Sequence, residues 1–144
     1  MDVTKANNSN IEDILRLNKQ IHVDTQLFQG DSLDWVEEQV ENGNYFVVKS
    51  DNEIYGALCL VERDGLFHLE TIAVQEDQQR KGIGRQFMDF AKKKAKEDGF
   101  DRLYVDMYCE YNVGKFYERS GFRKIPTYAK YKGKPYHRFV MDLK

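Results

Sequence analysis

One stretch of the chain decides its fold, Gln79-Arg80-Lys81-Gly82-Ile83-Gly84-Arg85. It follows an apolar, strand-like run that ends at Val74, and it opens a helical pattern that begins near Gly82. Two glycines at the start of a helix let the backbone approach a ligand closely, because no side chain blocks the amide hydrogens. The first turn of a helix has N–H groups without an intrahelical partner and carries about half a positive charge. The stretch therefore predicts an anion site, most simply for phosphate, and its three cationic side chains add to the attraction.

Taken alone, the two glycines identify no particular phosphate compound. A dinucleotide-binding fingerprint requires a third glycine where this chain has Phe87, and it belongs to an early βαβ unit. A P-loop requires Gly-Lys followed by Ser or Thr, which does not occur after this turn. The alternative is a tight strand-to-helix turn that binds nothing, and only the rest of the chain distinguishes the two.

Composition and charge are those of an ordinary globular protein. The 144 residues are 41% apolar and 32% charged, and a chain of this length buries roughly 68–70% of its unfolded surface on folding. We expect a single domain over residues 1–144. The net charge of −2 gives no overall attraction to nucleic acid, and no apolar run is long enough to span a bilayer. Because the two cysteines form no disulfide framework and the polar N-terminal residues form no signal peptide, we expect a cytoplasmic protein.

The hydrophobic pattern predicts an α+β (mixed α/β) protein, with a central, mostly antiparallel mixed sheet flanked by about four helices. A short strand is predicted from Asp2 to Ala6, and Ser9 with Glu12 reads as a capping box for a helix that reaches about Val23. The later helices are predicted over Ser32–Glu41, Gly82–Glu97 and Val113–Ser120. The later strands are predicted over Tyr45–Lys49, Ile54–Val61, Leu66–Val74, Leu103–Met107, Phe122–Ile125 and Arg138–Leu143.

Several finer features follow from the same pattern. Asp51-Asn52 and Asp64-Gly65 are hairpin turns. The long helix should bury the stripe Ile83, Phe87, Phe90, Ala91 and Ala95. The lysine- and tyrosine-rich segment between the last two strands is predicted to be an exposed loop.

Two signatures stand on either side of the long helix. The first is Gln79-x-x-Gly82-x-Gly84 after a strand, and the second is Phe116-Tyr117-Glu118-Arg119-Ser120-Gly121-Phe122. In this order they resemble the GNAT acetyltransferase superfamily, and the predicted elements match the order of that family over nearly the whole chain. The resemblance implies the GNAT-like acyl-CoA N-acyltransferase fold, with acetyl-CoA as co-substrate.

The resemblance also implies how acetyl-CoA is bound. The turn would hold its pyrophosphate through backbone amides from Arg80 to Arg85, with Gln79 as the first motif position and with Lys81 and Arg85 within reach of phosphate oxygens. The preceding strand bulges and parts from the next one in this family, so the pantetheine arm would pair with the backbone of Ile72, Ala73 and Val74. An amide of this stretch would polarise the acetyl carbonyl. Asn112 is a further expected contact, although the family's usual asparagine position is occupied here by Glu110.

Tyr117 matches the tyrosine that protonates the departing CoA thiolate in the family; the alternative is a tyrosine packed at a helix end. Phe116 and Phe122 are expected in the core. A general base is needed because an amine is protonated at neutral pH and must lose a proton before it attacks. By the period-two rule, one strand face carries His68, Glu70, Ile72 and Val74, and the next strand carries Tyr104, Asp106 and Tyr108. Glu70 and Asp106 are therefore the candidate bases, with Glu70 preferred and His68 third.

The implied activity is direct transfer of the acetyl group to a primary amine of a small molecule or peptide in a ternary complex. His22, Asp24 and Phe28 fall where the family builds its acceptor pocket. Tyr128, Tyr131 and Tyr136 fit either an acceptor pocket or a homodimer interface. No metal, membrane or nucleic-acid partner is expected.

Two other classes of function compete with this interpretation. A CoA-binding sensor or regulatory module would keep the fold without catalysis. A nucleic-acid-binding domain could use the run Lys92-Lys93-Lys94, but the net charge favours a solvated helix face there.

Overall fold

The sheet and its helices are described in a computed structural model that covers residues 2–20, 32–108, 114–131 and 133–143. Within these residues, the strands are β1 (Val3–Lys5), β2 (Tyr45–Ser50), β3 (Glu53–Arg63), β4 (Leu66–Val74), β5 (Arg102–Tyr108), β6 (Arg123–Tyr131) and β7 (Lys134–Asp142). The helices are α1 (Ile11–Lys19), α2 (Leu33–Glu41), α3 (Ile83–Glu97) and α4 (Gly114–Arg119). Short 3₁₀ turns precede α1 and α3, at Asn8–Asn10 and Glu76–Gln78.

All seven strands belong to one sheet, in the order β1-β2-β3-β4-β5-β7-β6. Every neighbouring pair is antiparallel except β4 and β5. These two parallel strands are joined through α3, because a parallel pair needs a long crossover connection. The predicted mixed, mostly antiparallel sheet is confirmed.

Helices cover both faces of the sheet and divide the core in two. On one face, α3 packs its buried side chains against strand residues that include Phe46, Leu58 and Leu103. On the other face, α1 and α2 bury Ile14, Leu17 and Val36 against Tyr45, Val47 and Cys59. The predicted stripe of α3 is confirmed with one exchange, since Met88 is buried where Phe90 is only partly buried.

The start of α1 differs from the prediction. The capping residue is Asn7, whose side chain accepts from the Ser9 amide over 2.9 Å. Asn10 completes the box by accepting from the Asn7 amide over 2.9 Å. The predicted box of Ser9 and Glu12 is therefore wrong, because a 3₁₀ turn stands in front of α1 and moves the cap toward the N-terminus.

The two predicted turns join β3 to its neighbours, β2 on one side and β4 on the other. Asp51 and Asn52 have φ of 53° and 74°, and Asp64 and Gly65 have φ of 54° and 78°. Positive φ at both central residues is the type I′ geometry, which matches the twist of a two-residue hairpin.

The predicted loop near the C-terminus is wrong. β6 continues to Tyr131 and β7 begins at Lys134, so the two strands form one long hairpin. Their register shifts between Ile125 and Ala129, and Pro126 lies in this irregular stretch. Proline has no N–H to donate to the ladder, so the sequence pattern at Pro126 reads as the end of a strand. In the structure the strand continues past it, with the register shift at this place.

The lysine run of α3 lies on the solvent side of the helix. Lys93 lies 4.0 Å from Glu97 and Lys94 lies 3.1 Å from Asp98, both one helical turn away. No helix in the described part of the chain is long and apolar enough to cross a membrane. The cytoplasmic location stays a prediction.

Gly56 in β3 provides a test of the packing under α3. A Cβ built on it would lie 2.7 Å from Cε2 of Phe87 and 3.1 Å from Cγ2 of Ile83. We expect Gly56→Ala to lower the free energy of unfolding by about 1–3 kcal/mol through overpacking, measured by urea denaturation.

The matched control is Gly84→Ala. A Cβ there would meet its nearest atom, in Phe116, at 3.7 Å, and alanine favours the helix. This variant should unfold at the same urea concentration as the natural chain or at a higher one. A Gly56→Ala protein as stable as the natural chain would contradict the packing described here.

Candidate functional site

β4 contains one residue more than the part of β3 that lies opposite it. Cys59 pairs with Thr71, whereas its neighbour Leu60 pairs with Leu69, so Glu70 is the extra residue of a β-bulge. On the other side of β4, the register with β5 consists of one pair, His68 with Tyr104. Both strands lie within the described residues, and from this pair toward Val74 their ladder does not continue. Beyond this pair, the β4 backbone groups that point toward β5 have no ladder partner there, and this unpaired stretch is here called the gap.

The bulge changes which side chains of β4 share a face. Ile72 and Val74 pack on the α3 core, as Leu69 does, while Ala73 packs on the α1 core. His68 pairs with Val61, which also packs on the α1 side. The prediction that His68, Glu70, Ile72 and Val74 share one face is therefore wrong, because one inserted residue moves the later side chains to the opposite face.

The predicted anion turn has an open surface above the first turn of α3. Gly82 precedes the helix with a φ of 86°, and a Cβ built on it would meet no atom within 4 Å. Arg80 also has a positive φ, of 68°, which is uncommon for a residue with a side chain. Gln79 donates through Nε2 to the Val74 carbonyl over 3.2 Å and so ties the turn to the end of β4. The side chains of Arg80, Lys81 and Arg85 are exposed beside this surface.

α4 brings Phe116 and Tyr117 to the same region, and the two differ in burial. Tyr117 is 7% exposed and packs edge-on against Phe122, which is buried as predicted. Burial raises the pKa of Tyr117 well above its usual value, so its phenol stays protonated and has a proton to donate. Phe116 is 39% exposed, which makes its predicted place in the core wrong. Its ring lies over Gly84, where only a residue without a bulky side chain leaves it room.

Five ionisable residues, here called the polar cluster, gather around the single ladder pair of β4 and β5: Arg63, His68, Glu70, Asp106 and Arg138. Arg138 donates from Nε and Nη2 to the two carboxylate oxygens of Asp106, over 2.8 and 2.9 Å. Arg63 Nη2 lies 2.7 Å from Glu70 Oε1 and 3.9 Å from Asp106 Oδ2. His68 Nδ1 lies 4.0 Å from Asp106 Oδ2. The two candidate bases, Glu70 and Asp106, are therefore brought together.

The two carboxylates have different partners. Asp106 is held by a bidentate, charge-assisted pair with Arg138. Arg63 lies at ion-pair distance from Glu70, but its N–H is not aimed at Oε1, and this buried oxygen receives no hydrogen bond from the described residues. Burial raises the pKa of Glu70, an effect that Arg63 opposes and Asp106 reinforces. Glu70 thus has a higher proton affinity than an ordinary glutamate, as a general base needs.

His68 is buried as a neutral side chain. It is 3% exposed, and its ring lies 5.8 Å from that of Tyr104. Burial is the main cause that lowers the pKa of His68 to about 4. The positive charges of Arg63 and Arg138 add to this lowering, whereas the negative charge of Asp106 opposes it. At neutral pH the cluster therefore holds two cations and two anions.

A buried chain of hydrogen bonds supports the bulge from the α1 side. Asn18 in α1 donates through Nδ2 to the Tyr45 hydroxyl over 2.9 Å. The Tyr45 hydroxyl lies 3.2 Å from Oγ1 of Thr71, the residue that follows Glu70. All three residues are buried, so this chain connects a helix to the bulge through the core. The sequence pattern gave no sign of it, because Asn18 and Thr71 read as ordinary polar positions.

The comparison with known proteins agrees with this geometry. A model described as the acetyltransferase (GNAT) family matches residues 11–122. The chain belongs to the GNAT acetyltransferase family. A relative, the uncharacterized N-acetyltransferase YvbK of Bacillus subtilis (strain 168), is 30% identical over 102 residues. That match covers 69% of this chain and 66% of the relative's own length.

Solved structures of GNAT proteins share the fold at low sequence identity. An acetyltransferase of the GNAT family from Staphylococcus aureus Mu50 superposes with a TM-score of 0.78, at 18% identity and over 99% of both chains. N-acetylglutamate synthase from Neisseria gonorrhoeae, complexed with coenzyme A and N-acetyl-glutamate, gives a TM-score of 0.78 at 18% identity. The match covers 99% of this chain and 35% of that longer one. The predicted GNAT-like fold is confirmed.

Several residues of the predicted GNAT site fall outside the described part of the chain. These are His22, Asp24, Phe28, Glu110 and Asn112. Tyr128 and Tyr131 belong to β6, and Tyr136 in β7 lies opposite Tyr108. Their place in an acceptor pocket or a homodimer interface stays a prediction.

The buried His68 predicts an acid-sensitive fold. In the unfolded chain histidine titrates near 6.5, whereas in the folded protein its pKa is about 4. Between these values the unfolded state binds a proton that the folded state does not, so this contribution to stability is complete above pH ~6.5 and falls as the pH drops toward ~4. We expect His68→Gln to remove about 3 kcal/mol of that pH dependence, as an upper value.

The measurement is urea denaturation at pH 7.5 and pH 4.5 for the natural chain and the variant. Glu70 has a raised pKa and acts in the opposite direction, losing its contribution as the pH rises, so only the difference between the two proteins reports on His68. His137→Gln is the matched control, because His137 lies opposite Met107 on the α3 face, away from the cluster. Equal acid sensitivity of the natural chain and His68→Gln would contradict the burial of a neutral His68.

Proposed function

We propose that this protein moves the acetyl group of acetyl-CoA directly to a primary amine of a small molecule or peptide, in a ternary complex. The observation that carries the proposal is the position of Glu70. A partly buried carboxylate with a raised pKa is the extra residue of the bulge, two residues after the single ladder pair of β4 and β5. A base placed there can reach an amine that approaches a group lying in the gap.

The described residues fit acetyl-CoA at two places. The open surface at Gly82 would take the pyrophosphate on the amides from Arg80 to Arg85, where Gly82 and Gly84 carry no Cβ. The gap beside β4 would take the pantetheine arm on the backbone of Ile72, Ala73 and Val74. Asn112 is kept as a further proposed contact. When bound, acetyl-CoA supplies an activated acetyl group, whose transfer forms a nitrogen–carbon bond as the carbon–sulfur bond breaks.

Glu70 is the proposed general base. An ammonium ion has no lone pair, so its proton must pass to a carboxylate or to water before the nitrogen can attack. The raised pKa of Glu70 brings its proton affinity closer to that of the amine, and its Oε1 receives no hydrogen bond from the described residues. Asp106 is the second candidate, and its bidentate pair with Arg138 suits it better to positioning Arg138 and Arg63 around Glu70.

Tyr117 is the proposed general acid. Because burial keeps its phenol protonated, it can give a proton to the departing sulfur. A thiol has a reference pKa near ~8.5 and a phenol near ~10, and burial raises the pKa of Tyr117 further, so the transfer is uphill by more than the reference values and depends on close placement. The nitrogen loses two protons, one to Glu70 before the attack and one to solvent as the tetrahedral intermediate collapses, whereas the sulfur gains one from Tyr117. Glu70 then releases its proton to solvent and Tyr117 takes one back, so each turnover releases one proton net.

Substitution of the two proton-transfer residues tests the proposal. With a panel of amines and free thiol as the readout, Glu70→Gln should lower kcat/KM by about 100-fold or more, and Tyr117→Phe by about 10-fold or more. Glu70→Gln should also lose the decline in rate that protonation of the base causes at low pH. The matched control is Glu62→Gln, which makes the same carboxylate-to-amide change at an exposed residue on the α3 face of β3. This variant should keep full activity.

A separate substitution tests the cofactor surface. Gly82→Asp puts a side chain where φ is 86° and places a negative charge at the proposed pyrophosphate site. We expect it to weaken acetyl-CoA binding by about 100-fold or more in calorimetric titration. Unchanged affinity would contradict the placement of the pyrophosphate. Tight CoA binding by the natural chain without turnover of any amine would instead support the non-catalytic sensor.

A further inference from the structure

The polar cluster has its charges in two layers. Arg63 and Arg138 have side chains that are 46% and 32% exposed, whereas Glu70 and Asp106 are 21% and 12% exposed. A molecule that enters from solvent therefore meets the two guanidinium groups first and the two carboxylates beneath them. The cluster is neutral as a whole, but it is polarised from rim to floor.

Arg138 is held in place before any ligand arrives. Its fork pairs with both oxygens of Asp106, and its guanidinium carbon lies 5.5 Å from the centre of the Tyr104 ring. Asp106 takes up two of the five N–H groups that a guanidinium offers, so three more can be donated to another anion. A donor already fixed by stacking and pairing loses little conformational freedom when it binds.

Arg63 is held less firmly. It lies 2.7 Å from Glu70 Oε1, yet no described N–H is aimed at that oxygen. It also lies 3.9 Å from Asp106. Charge keeps Arg63 over the carboxylates without a directed hydrogen bond. It can therefore turn toward an incoming anion and leave Glu70 to attract the amine.

This arrangement matches a molecule with charges of both signs. We propose that the acceptor is a small zwitterion of the amino-acid type, in which the reacting amine lies a few bonds from a carboxylate. The amine would lie at Glu70 and the carboxylate at Arg138 and Arg63. A polyamine would instead bring a second cation to the guanidinium groups and be repelled. This inference rests on the proposed function, since it names the acceptor of the same site.

The test compares acceptors that differ only in the anionic group. Each set contains an amino acid, its carboxamide and the amine without the carboxyl group, such as alanine, alaninamide and ethylamine, with equivalent sets for glutamate and phenylalanine. In at least one set, we expect kcat/KM for the amino acid to exceed that for its amide and its amine by about 10-fold or more. Equal rates within every set, or a preference for spermidine over all amino acids, would overturn the inference.

Substitution of the rim identifies the residues responsible. Arg63→Gln and Arg138→Gln should each raise KM for the preferred amino acid by about 10-fold more than they raise KM for its amide. Arg138→Lys keeps the positive charge but loses the forked guanidinium. Its KM for the amino acid should lie between those of the natural chain and of Arg138→Gln. Arg63→Gln is the decisive variant if the loss of Arg138 unfolds the protein. The control is Arg123→Gln, which changes an exposed residue 3.5 Å from Asp142, outside the cluster. The control should change neither KM for the amino acid nor KM for its amide. In Arg63→Gln, a KM that rises equally for the acid and the amide would overturn the assignment.

A binding measurement separates this inference from the proposed function. The amino acid, its amide and its amine are titrated calorimetrically into the protein saturated with CoA. Selective binding of the amino acid without turnover would retain the inference and defeat the acetyl-transfer proposal. Turnover of amines and amides as fast as amino acids would retain the acetyl-transfer proposal and defeat this inference. No binding and no turnover of any amino acid in the panel would defeat this inference.

Discussion

The insertion of Glu70 into β4 is the constraint on which the rest of the site depends. Side chains of a strand alternate between faces, so one extra residue divides β4 into two halves of opposite phase. The first half sends His68 to the α1 face, and the second sends Ile72 and Val74 to the α3 core. The bulged residue stands between them, at the point where β4 stops pairing with β5. A carboxylate at this position faces the polar cluster while the backbone beyond it faces the gap.

The two faces of the sheet consequently have different tasks in the proposed reaction. The α3 side supplies apolar packing and the open turn at Gly82, which suits a long ligand held by backbone amides. The α1 side supplies charge, with the polar cluster at the place where an acceptor would approach. The gap between β4 and β5 is the passage from one side to the other. In the proposed reaction, a parallel pair joined by one ladder pair inside an otherwise antiparallel sheet would give two reactants access to one point.

The sequence was informative for part of the local structure. Asp51-Asn52 and Asp64-Gly65 were predicted as hairpin turns and have type I′ geometry, whereas the predicted capping box of Ser9 and Glu12 was wrong because a 3₁₀ turn precedes α1. The bulge was not visible from the residues, because Glu70 between Leu69 and Thr71 continues a regular alternation until β3 fixes the register. Arg63 and Arg138 were missed for a related reason. They meet Glu70 and Asp106 only through the order of strands in the sheet, which no local pattern specifies.

The buried chain from Asn18 through Tyr45 to Thr71 constrains how this protein can change over evolution. Asn18 donates to the Tyr45 oxygen, and one hydroxyl proton, of Tyr45 or of Thr71, lies between the other two members. Loss of one member leaves a buried polar group without its partner, which costs more than the joint replacement of all members by apolar side chains. Substitution of Tyr45 or Thr71 alone is therefore selected against, whereas replacement of both together is tolerated. Relatives that keep a bulge at this place should fall into two groups, one with the whole polar chain and one with an apolar core instead.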